Sequence, residues 1–316
     1  MTLDQMHDQA CRLQQAGAAG DAQVMLRSVL AAQPGRASTR HALGISLLSQ
    51  GRYSEGFAAY AARHEVLDLH NPKPALPFPE WQGEEVHGKV VTIWPEQGLG
   101  DQIMHARFAK VLSERGANVT LICRPPLVTL FQTCLPLAVV AASGAVDFPD
   151  PDYWVMTCSL PWRLGVTPET IPSEPYLSAP PTGRGARIGV VTRGNHGHAN
   201  DAHRSLPKEQ AARLLSLPGA MSLHPEDTGA ADFLETARII AGLDLVIAVD
   251  TSVAHLAGAM GKPCWILLPG HSTDWRWMRD RRDTPWYPSA QLFREVNGWP
   301  RVLDEVETEL RKAAGR

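Results

Sequence analysis

The sequence contains few cysteines, no long apolar run and no block of like charge. Its five cysteines lie scattered over 316 residues without a Cys-x-x-Cys pair, which argues against a disulfide framework and favours reduced, buried thiols. The apolar stretch around Leu135–Val146 is too short and too interrupted to cross a bilayer, and no signal-peptide pattern opens the chain. A net charge of −3 provides no electrostatic footprint for nucleic acid or an anionic membrane. We therefore expect a cytoplasmic protein without a membrane span.

Residues 1–70 are rich in Ala, Gln, Leu and Arg with helical periodicity, and they contain an internal repeat. A shift of 34 residues aligns Gly17 with Gly51 and Leu26 with Tyr60, and the second copy resembles the tetratricopeptide pattern. The region is predicted to fold as two helix-turn-helix units. Because two units rarely bury a continuous face alone, they need the rest of the chain, a partner or a second subunit. A structural extension and a peptide-binding groove both remain open.

A Pro-rich segment separates this helical region from the remainder of the chain. Residues 71–87 form the predicted linker, and the four prolines within 71–79 exclude both a helix and an interior strand there. Beyond the linker, apolar runs alternate with helix-like stretches, and the alternation restarts after a second Pro/Gly-rich segment near residue 182. The sequence thus predicts an α/β fold with two Rossmann-like doubly wound lobes, over 88–182 and 183–316.

The first informative loop follows an apolar strand and reads Gly98-Leu99-Gly100-Asp101. Gly98 and Gly100 permit a close backbone approach, and Asp101 lies at the start of the next helix, where the helix dipole favours a carboxylate. Asp101 is either a reactive carboxylate or a helix cap, and the two roles are compatible.

The second informative loop, Asp250 to His255, also follows an apolar strand and opens a helix. Thr251 and Ser252 can add hydroxyl donors to the free N–H groups of the first helical turn, which suits a phosphate. Asp250 either binds a hydroxyl of the ligand or caps the helix. His255 is either a phosphate contact or a histidine satisfied within its helix.

A polar loop follows the apolar run Ile188–Thr192. Arg193 and Arg204 can neutralise phosphate, because a guanidinium group binds two oxygens at once. The loop histidines, His198 among them, have no regular metal-ligand spacing together with Asp201, so a metal site is disfavoured.

These elements together resemble a known family. The segments that carry the resemblance are Glu96–Ile103, Asn200–Ser205, Asp250–His255, Trp275–Trp277 and Pro285–Pro288. They are similar to the bacterial tetratricopeptide-repeat glycosyltransferases, which are related to the family 9 heptosyltransferases and have the two-lobed GT-B fold. The resemblance implies an inverting, metal-independent transfer of a sugar from a nucleotide diphosphate donor to a hydroxyl acceptor, without a cofactor. It places the acceptor on the first lobe and the donor on the second.

The resemblance also assigns roles to individual residues. Asp101 would be the general base. The residues that would bind the donor are Gly98, Gly100, Arg193, Asn195, Asp250, Thr251, Ser252 and His255, with Asn200, Asp201, Arg204 and Trp275 as additional candidates. Trp275 could instead pack in the core, which is the commoner use of Trp. The chain departs from the family at Thr192–Asn195, where relatives usually have Trp-Ala-Gly-Asn, and this departure bears on donor choice and on activity.

Two other interpretations remain open. A noncatalytic repeat scaffold would explain the departure at Thr192. An NADP-dependent oxidoreductase would use Arg124 for the 2′-phosphate, although Ile103 stands where the dinucleotide fingerprint needs a third glycine. The expected partners are a nucleotide-sugar donor and a glycan or protein acceptor, the latter presented by the helical repeats. A homo-oligomer is consistent with the short repeat region.

Overall fold

The computed structural model describes residues 1–69, 71–183, 185, 187–197 and 200–314. The chain divides into two compact units. The first unit comprises Met1–Val128, Leu135–Pro172 and Asp274–Asp280, and the second comprises Thr129–Cys134, Ser173–Thr273 and Arg281–Arg316. Residues 274–280 therefore belong to the first unit, although they lie between two stretches of the second in the chain.

Four helices open the first unit, which confirms the predicted N-terminal helical region. They are α1 (Leu3–Gln15), α2 (Ala19–Ala32), α3 (Ala37–Leu48) and α4 (Tyr53–Tyr60). Thr2 caps α1 by accepting a bond from the backbone N–H of Gln5, whose side chain accepts one from Thr2 in return. Gly17 and Gly51 lie in the turns after α1 and α3 with φ of +96° and +76°, a conformation that favours glycine.

The helical core consists of small and aliphatic side chains at helical spacing. Ala22 and Leu26 on α2 pack with Leu47 on α3. The backbone of α4 comes so close to Gly44 that a Cβ there would lie 2.5 Å from the backbone nitrogen of Tyr60. Glycine at this position thus permits the tight packing of α3 on α4.

A four-stranded parallel sheet forms the rest of the first unit. Its strands are β1 (Val90–Trp94), β2 (Asn118–Cys123), β3 (Ala138–Ala141) and β4 (Tyr153–Met156), in the order β3-β2-β1-β4. The helices that follow β1 and β4 are α5 (Leu99–Glu114) and α7 (Leu160–Arg163). Helix α6 (Val128–Cys134) follows β2, and its residues 129–134 belong to the second unit. The strand order reverses between β1 and β4, and in such sheets ligands bind beyond the carboxyl ends of the strands at the reversal.

The second unit contains a five-stranded parallel sheet. Its strands are β5 (Ile188–Val191), β6 (Ala220–Ser222), β7 (Leu245–Val249), β8 (Cys264–Leu268) and β9 (Ala290–Arg294), in the order β6-β5-β7-β8-β9. Its helices are α8 (Asp201–Arg204), α9 (Lys208–Leu215), α10 (Pro225–Thr228), α11 (Phe233–Ala241), α12 (Ser252–Ala259) and α13 (Trp299–Ala314). The order reverses between β5 and β7, so the loops after these two strands flank the expected ligand position.

The predicted α/β class with parallel sheets is confirmed. β7 is apolar and buried along Val246–Val249, as a central parallel strand should be. Short 3₁₀ helices connect several elements, at Ala61–His64, Leu67–Leu69, Pro125–Leu127, Thr157–Ser159 and Trp275–Trp277. No helix in the described ranges is long and apolar enough to cross a membrane.

Candidate functional site

Asp101 lies in the first turn of α5, directly beyond the carboxyl end of β1. One of its carboxylate oxygens, Oδ2, accepts a hydrogen bond of 2.9 Å from the backbone N–H of Gly98, the residue that caps the helix. Gly100 is buried within the same turn. The carboxylate therefore caps its helix, and its side chain also remains 19% exposed, so that a ligand can reach it.

A guanidinium group engages the other carboxylate oxygen of Asp101. Arg276 Nη2 donates to Asp101 Oδ1, and Arg276 Nε lies 3.3 Å from Asp274 Oδ1. Arg276 belongs to the 3₁₀ turn Trp275–Trp277 and is only 9% exposed. An opposite charge at hydrogen-bond distance favours the ionised form of a carboxyl group. The pair thus keeps Asp101 as a carboxylate.

A second, fully buried ion pair lies beside Asp101. The guanidinium of Arg63 donates to both oxygens of Glu96 at 2.9 and 2.8 Å, and the side chain of Asn71 and the backbone N–H of Cys158 donate to the same carboxylate at 2.8 and 2.7 Å. Burial opposes ionisation of Glu96, but the Arg63 charge and these bonds outweigh it and hold its pKa below the ordinary value. Glu96 therefore anchors the β1 loop to the helical region of the first unit.

His105 follows Asp101 by one helical turn. Its Nδ1–H donates to the backbone carbonyl of Asp101 at 2.8 Å. Burial lowers the pKa of His105 to about 4, against the opposing influence of the Asp101 charge. The ring is therefore neutral at physiological pH and braces the first turn of α5.

In the second unit, the loop after β7 leads into α12. Thr251 is the N-cap residue of α12, and Ser252 is the first helical residue. The first N–H groups of a helix have no partner within it and carry the positive end of its dipole. The Thr251 hydroxyl oxygen is buried and has no hydrogen-bond partner within the described part of the chain. These donors form a site suited to an anion such as a phosphate.

His255 is buried in the middle of α12. Its Nδ1 lies 2.9 Å from the hydroxyl of Tyr287, and its Nε2 lies 4.0 Å from Asp250 Oδ1. Of the two roles open from the sequence, this placement favours a histidine satisfied within the protein. His255 links the buried Tyr287 to the Asp250 side chain.

The loops after β5 and β7 are joined by a hydrogen-bond network. Arg204 Nη1 donates to the backbone carbonyl of Asp250 at 2.9 Å, and Arg204 Nε lies 3.4 Å from Asp201 Oδ1. Ser205 donates to the same Asp201 oxygen at 3.1 Å and accepts from the Gly194 N–H at 3.0 Å. A Cβ at Gly194 would approach the Asp201 carboxylate and the Arg204 guanidinium to about 2.5 Å, so a larger residue there would displace these two side chains. The structure thus brings Asp201, Arg204 and Asp250 together.

Three other predicted donor residues make local contacts. Arg193 forms an ion pair with Glu226, and the Asn195 side chain accepts a bond of 3.0 Å from the N–H of Gly197. Asn200 donates at 3.0 Å to a backbone carbonyl in the loop after β8. These contacts order the loops around β5.

Trp275 lies in the first unit and is buried there. Its ring packs edge-on against Tyr53 and Phe57, with centroids 6.0 and 5.6 Å apart, and also lies near Tyr60. This is the core-packing role that the sequence left open. Trp275 therefore belongs to the aromatic cluster on α4.

Several of these residues were not foreseen as site residues. Arg63 and Asn71 reach Glu96 from segments distant in sequence, and no local pattern marks them. Arg276 lies in the resemblance segment Trp275–Trp277, but the sequence predicts no role for its side chain. Among the residues that the structure describes, no group of three or more His, Cys, Asp or Glu side chains could hold a metal ion. His198, part of the disfavoured metal cluster, lies outside the described residues.

Part of the chain is similar to a known protein family, and most of it is similar to one curated protein. Residues 208–300, which include α12, match the family "Glycosyltransferase family 9 (heptosyltransferase)". The chain is 25% identical over 325 aligned residues to Protein FlbA of Caulobacter vibrioides, and the match covers 85% of this chain and 54% of that protein. The chain therefore spans about half the length of this relative.

Two solved structures align with part of the chain. The iron-containing dodecameric glycosyltransferase TibC from enterotoxigenic E. coli H10407 aligns with a TM-score of 0.47 at 16% identity, covering 68% of this chain and 64% of TibC. A family 9 glycosyltransferase from Veillonella parvula aligns with a TM-score of 0.43 at 13% identity, covering 73% and 91%. The match over residues 208–300 confirms the resemblance to family 9 glycosyltransferases that the sequence predicts.

Proposed function

We propose that this chain is an inverting, metal-independent glycosyltransferase that moves a sugar from a nucleotide diphosphate donor to a hydroxyl group of a glycan or protein. The observation that carries the proposal is the open N-terminus of α12, with the buried Thr251 hydroxyl, inside the matched family 9 domain. That arrangement provides donors for a diphosphate where the family binds its nucleotide sugar.

Asp101 is the general base in this proposal. The acceptor hydroxyl transfers its proton to the Asp101 carboxylate while its oxygen attacks the anomeric carbon, and the bond from that carbon to the diphosphate breaks. Three features support the role: the carboxylate follows β1 at the strand-order reversal, it is partly exposed, and the Gly98 N–H and Arg276 orient it. A single displacement of this kind inverts the anomeric configuration.

The second unit holds the donor in this proposal. The first turn of α12, the hydroxyls of Thr251 and Ser252, and the Arg204 guanidinium stabilise the charge that develops on the leaving diphosphate. These fixed donors take the place of a divalent cation. Arg204 is better placed than Arg193, because it already contacts the Asp250 backbone whereas Arg193 pairs with Glu226.

The same proposal extends to the architecture. The two parallel-sheet regions correspond to the Rossmann-like lobes of a GT-B enzyme, the first for the acceptor and the second for the donor. The N-terminal helices correspond to two tetratricopeptide-like units that present a glycan or protein acceptor. A homo-oligomer and a cytoplasmic location stay predictions.

The first experiment is a thermal-shift screen of the chain against nucleotide sugars, including nucleotide-activated heptoses, followed by an assay of donor consumption. A donor that binds only the native state raises the melting temperature by mass action. NADPH serves as the probe for the oxidoreductase alternative. Stabilisation by a nucleotide sugar together with donor turnover supports the proposal. Stabilisation without turnover favours the scaffold interpretation, and a response to NADPH alone overturns the proposal.

A variant locates the donor within the second unit. Ser252→Ala removes one hydroxyl from the α12 start, and the loss of a hydrogen bond to a charged group costs about 1.5 to 3 kcal/mol, so nucleoside diphosphate affinity should fall about tenfold or more. Thr308→Ala is the matched control, because it removes an exposed hydroxyl from α13 in the same unit. Calorimetry with the nucleoside diphosphate measures both variants. Equal affinities in Ser252→Ala and wild type would place the donor elsewhere.

A further inference from the structure

The turn that supplies Arg276 is firmly anchored in the first unit. Trp275 packs against Tyr53 and Phe57 of α4, and Trp277 is fully buried. Arg279 Nη2 donates a hydrogen bond of 2.6 Å to the backbone carbonyl of Gln14, in the last turn of α1. Two aromatic contacts and a hydrogen bond to the N-terminal helices thus hold the turn from both sides of Arg276.

The backbone around this contact is strained. In the part of the chain that the structure describes, four non-glycine residues have φ in the left-handed region: Gln97, Ser272, Met278 and Asp280, with φ of 61°, 55°, 54° and 55°. Gln97 directly precedes Gly98, and Met278 and Asp280 lie in the same turn as Arg276. Such conformations persist only where the surroundings enforce them, and they cluster at functional sites. Both partners of the Asp101–Arg276 contact therefore sit beside strained backbone.

The charges that face Asp101 come from several elements of the first unit. The charged groups are Arg276 and Asp274 from the turn and the buried pair of Glu96 and Arg63. The titratable groups without charge are His105 from α5, Cys158 from the segment after β4 and Tyr60 from α4, and burial raises the pKa values of Cys158 and Tyr60. Glu96 is neutralised by Arg63 at 2.8 Å, and His105 is neutral because its pKa is lowered to about 4. Arg276 is a cation in direct contact with the Asp101 carboxylate.

We propose that Arg276 is a positioning residue for Asp101, whose guanidinium fixes the orientation of the carboxylate and keeps it charged so that it can accept a proton. The inference rests on the proposed role of Asp101 as general base. An ionised carboxylate has about four lone-pair sites, and the Gly98 N–H and Arg276 occupy one on each oxygen. The carboxylate is partly exposed, so an acceptor hydroxyl can reach it.

The test is the pH dependence of kcat/KM in Arg276→Gln, Arg276→Lys and wild type. In Arg276→Gln the Asp101 carboxylate loses its positive neighbour, so the pKa of Asp101 rises. The acidic limb of the profile then moves to higher pH. An arginine neighbour lowers the pKa of an aspartate by about 1 to 3 pH units. We therefore expect the acidic limb of Arg276→Gln to move up by about one pH unit or more, so that kcat/KM at a given pH on that limb falls about tenfold. Arg276→Lys keeps the charge and should restore most of the limb position.

Controls separate positioning from a structural role and from the proposed function. Arg12→Gln removes an exposed guanidinium of the same unit that contacts Gln9 on α1 instead of Asp101, and it should leave the limb where it is in wild type. A merely structural Arg276 would lower kcat equally at all pH values or lower the melting temperature without moving the limb, and either result would overturn the inference. If Asp101→Asn retains full turnover, the proposed function fails first. If Asp101→Asn is inactive and the acidic limb of Arg276→Gln lies at the same pH as in wild type, the positioning role of Arg276 fails and the proposed function stands.

Discussion

At the residue scale, the Glu96–Arg63 pair shows how buried charge stabilises the loop beside Asp101. Both side chains are almost completely excluded from solvent, and four hydrogen bonds satisfy the carboxylate. Removing one partner of such a pair leaves an uncompensated buried charge. The pair therefore makes the β1 loop depend on the helical region.

Arg63→Met should destabilise the protein by about 3 to 5 kcal/mol in urea unfolding, because Glu96 loses its counter-charge. Adding Glu96→Gln should recover part of that loss, because no buried charge then remains. Arg187→Met is the control: it breaks the exposed Arg187–Asp244 pair, with side chains 79% and 60% exposed, and should cost less than about 1 kcal/mol. A similar small effect for Arg63→Met would contradict the account of this pair.

His105 predicts a specific loss of stability in acid. Below about pH 6.5 the unfolded chain takes up a proton on this histidine, whereas the folded chain does so only near pH 4. The free energy of unfolding should therefore fall by about 1.4 kcal/mol per pH unit as the pH drops through this window. The accumulated loss should be about 3 kcal/mol near pH 4. His105→Gln should flatten the profile between pH 6.5 and 4. At pH 8 His105 is neutral in both the folded and the unfolded chain, so protonation contributes no stability difference between the variant and wild type. An unchanged slope of unfolding free energy against pH in His105→Gln would refute the assignment.

Residue-level prediction from the sequence succeeded where the signal was local. Asp101 three residues after Gly98 predicts a cap, and the structure has that cap. Gln97, Arg63 and Arg276 carried no such signal, since their roles depend on a strained backbone angle or on partners distant in the chain. The roles of Asp101 and of the Asp250–His255 residues in catalysis stay predictions.

At the element scale, two helical glycines predict opposite effects for the same substitution. A Cβ at Gly258 on α12 would run into the buried ring of Tyr287, whereas a Cβ at Gly20 on α2 would meet nothing within 4 Å. Gly258→Ala should destabilise by about 1 to 3 kcal/mol through overpacking. Gly20→Ala should stabilise by up to about 1 kcal/mol through helix propensity. Thermal unfolding of both variants measures the signs, and a stabilising Gly258→Ala would show that α12 packs differently.

Elements with strong apolar periodicity were predictable, and weakly marked elements were not. The runs Val90–Trp94 and Leu243–Val249 predict β1 and β7 closely, because central parallel strands are apolar on both faces. β9 and α13 escaped prediction. β9 lies at the edge of its sheet and carries Gln291 and Arg294 among its five residues, so its apolar signal is broken.

At the scale of the whole molecule, the sequence predicts the α/β class and a resemblance to family 9 glycosyltransferases. Both are confirmed, the class by the two parallel sheets and the resemblance by the match over residues 208–300. It does not predict that residues 274–280 belong to the first unit, because that assignment arises from contacts with α4 and α5 rather than from any local pattern. The consequence is functional in our account: a turn encoded after β8 supplies the cation beside Asp101.

The central claim is that Asp101 is the base of a sugar transfer whose donor is held by the second unit. The most direct test compares Asp101→Asn with wild type in single-turnover transfer, using the donor identified by thermal shift, with donor affinity measured on the same samples. Loss of a general base typically costs about 10² to 10⁴ in rate, so transfer should fall by that factor while donor affinity stays within a few-fold of wild type. Transfer at the wild-type rate by Asp101→Asn would contradict the account.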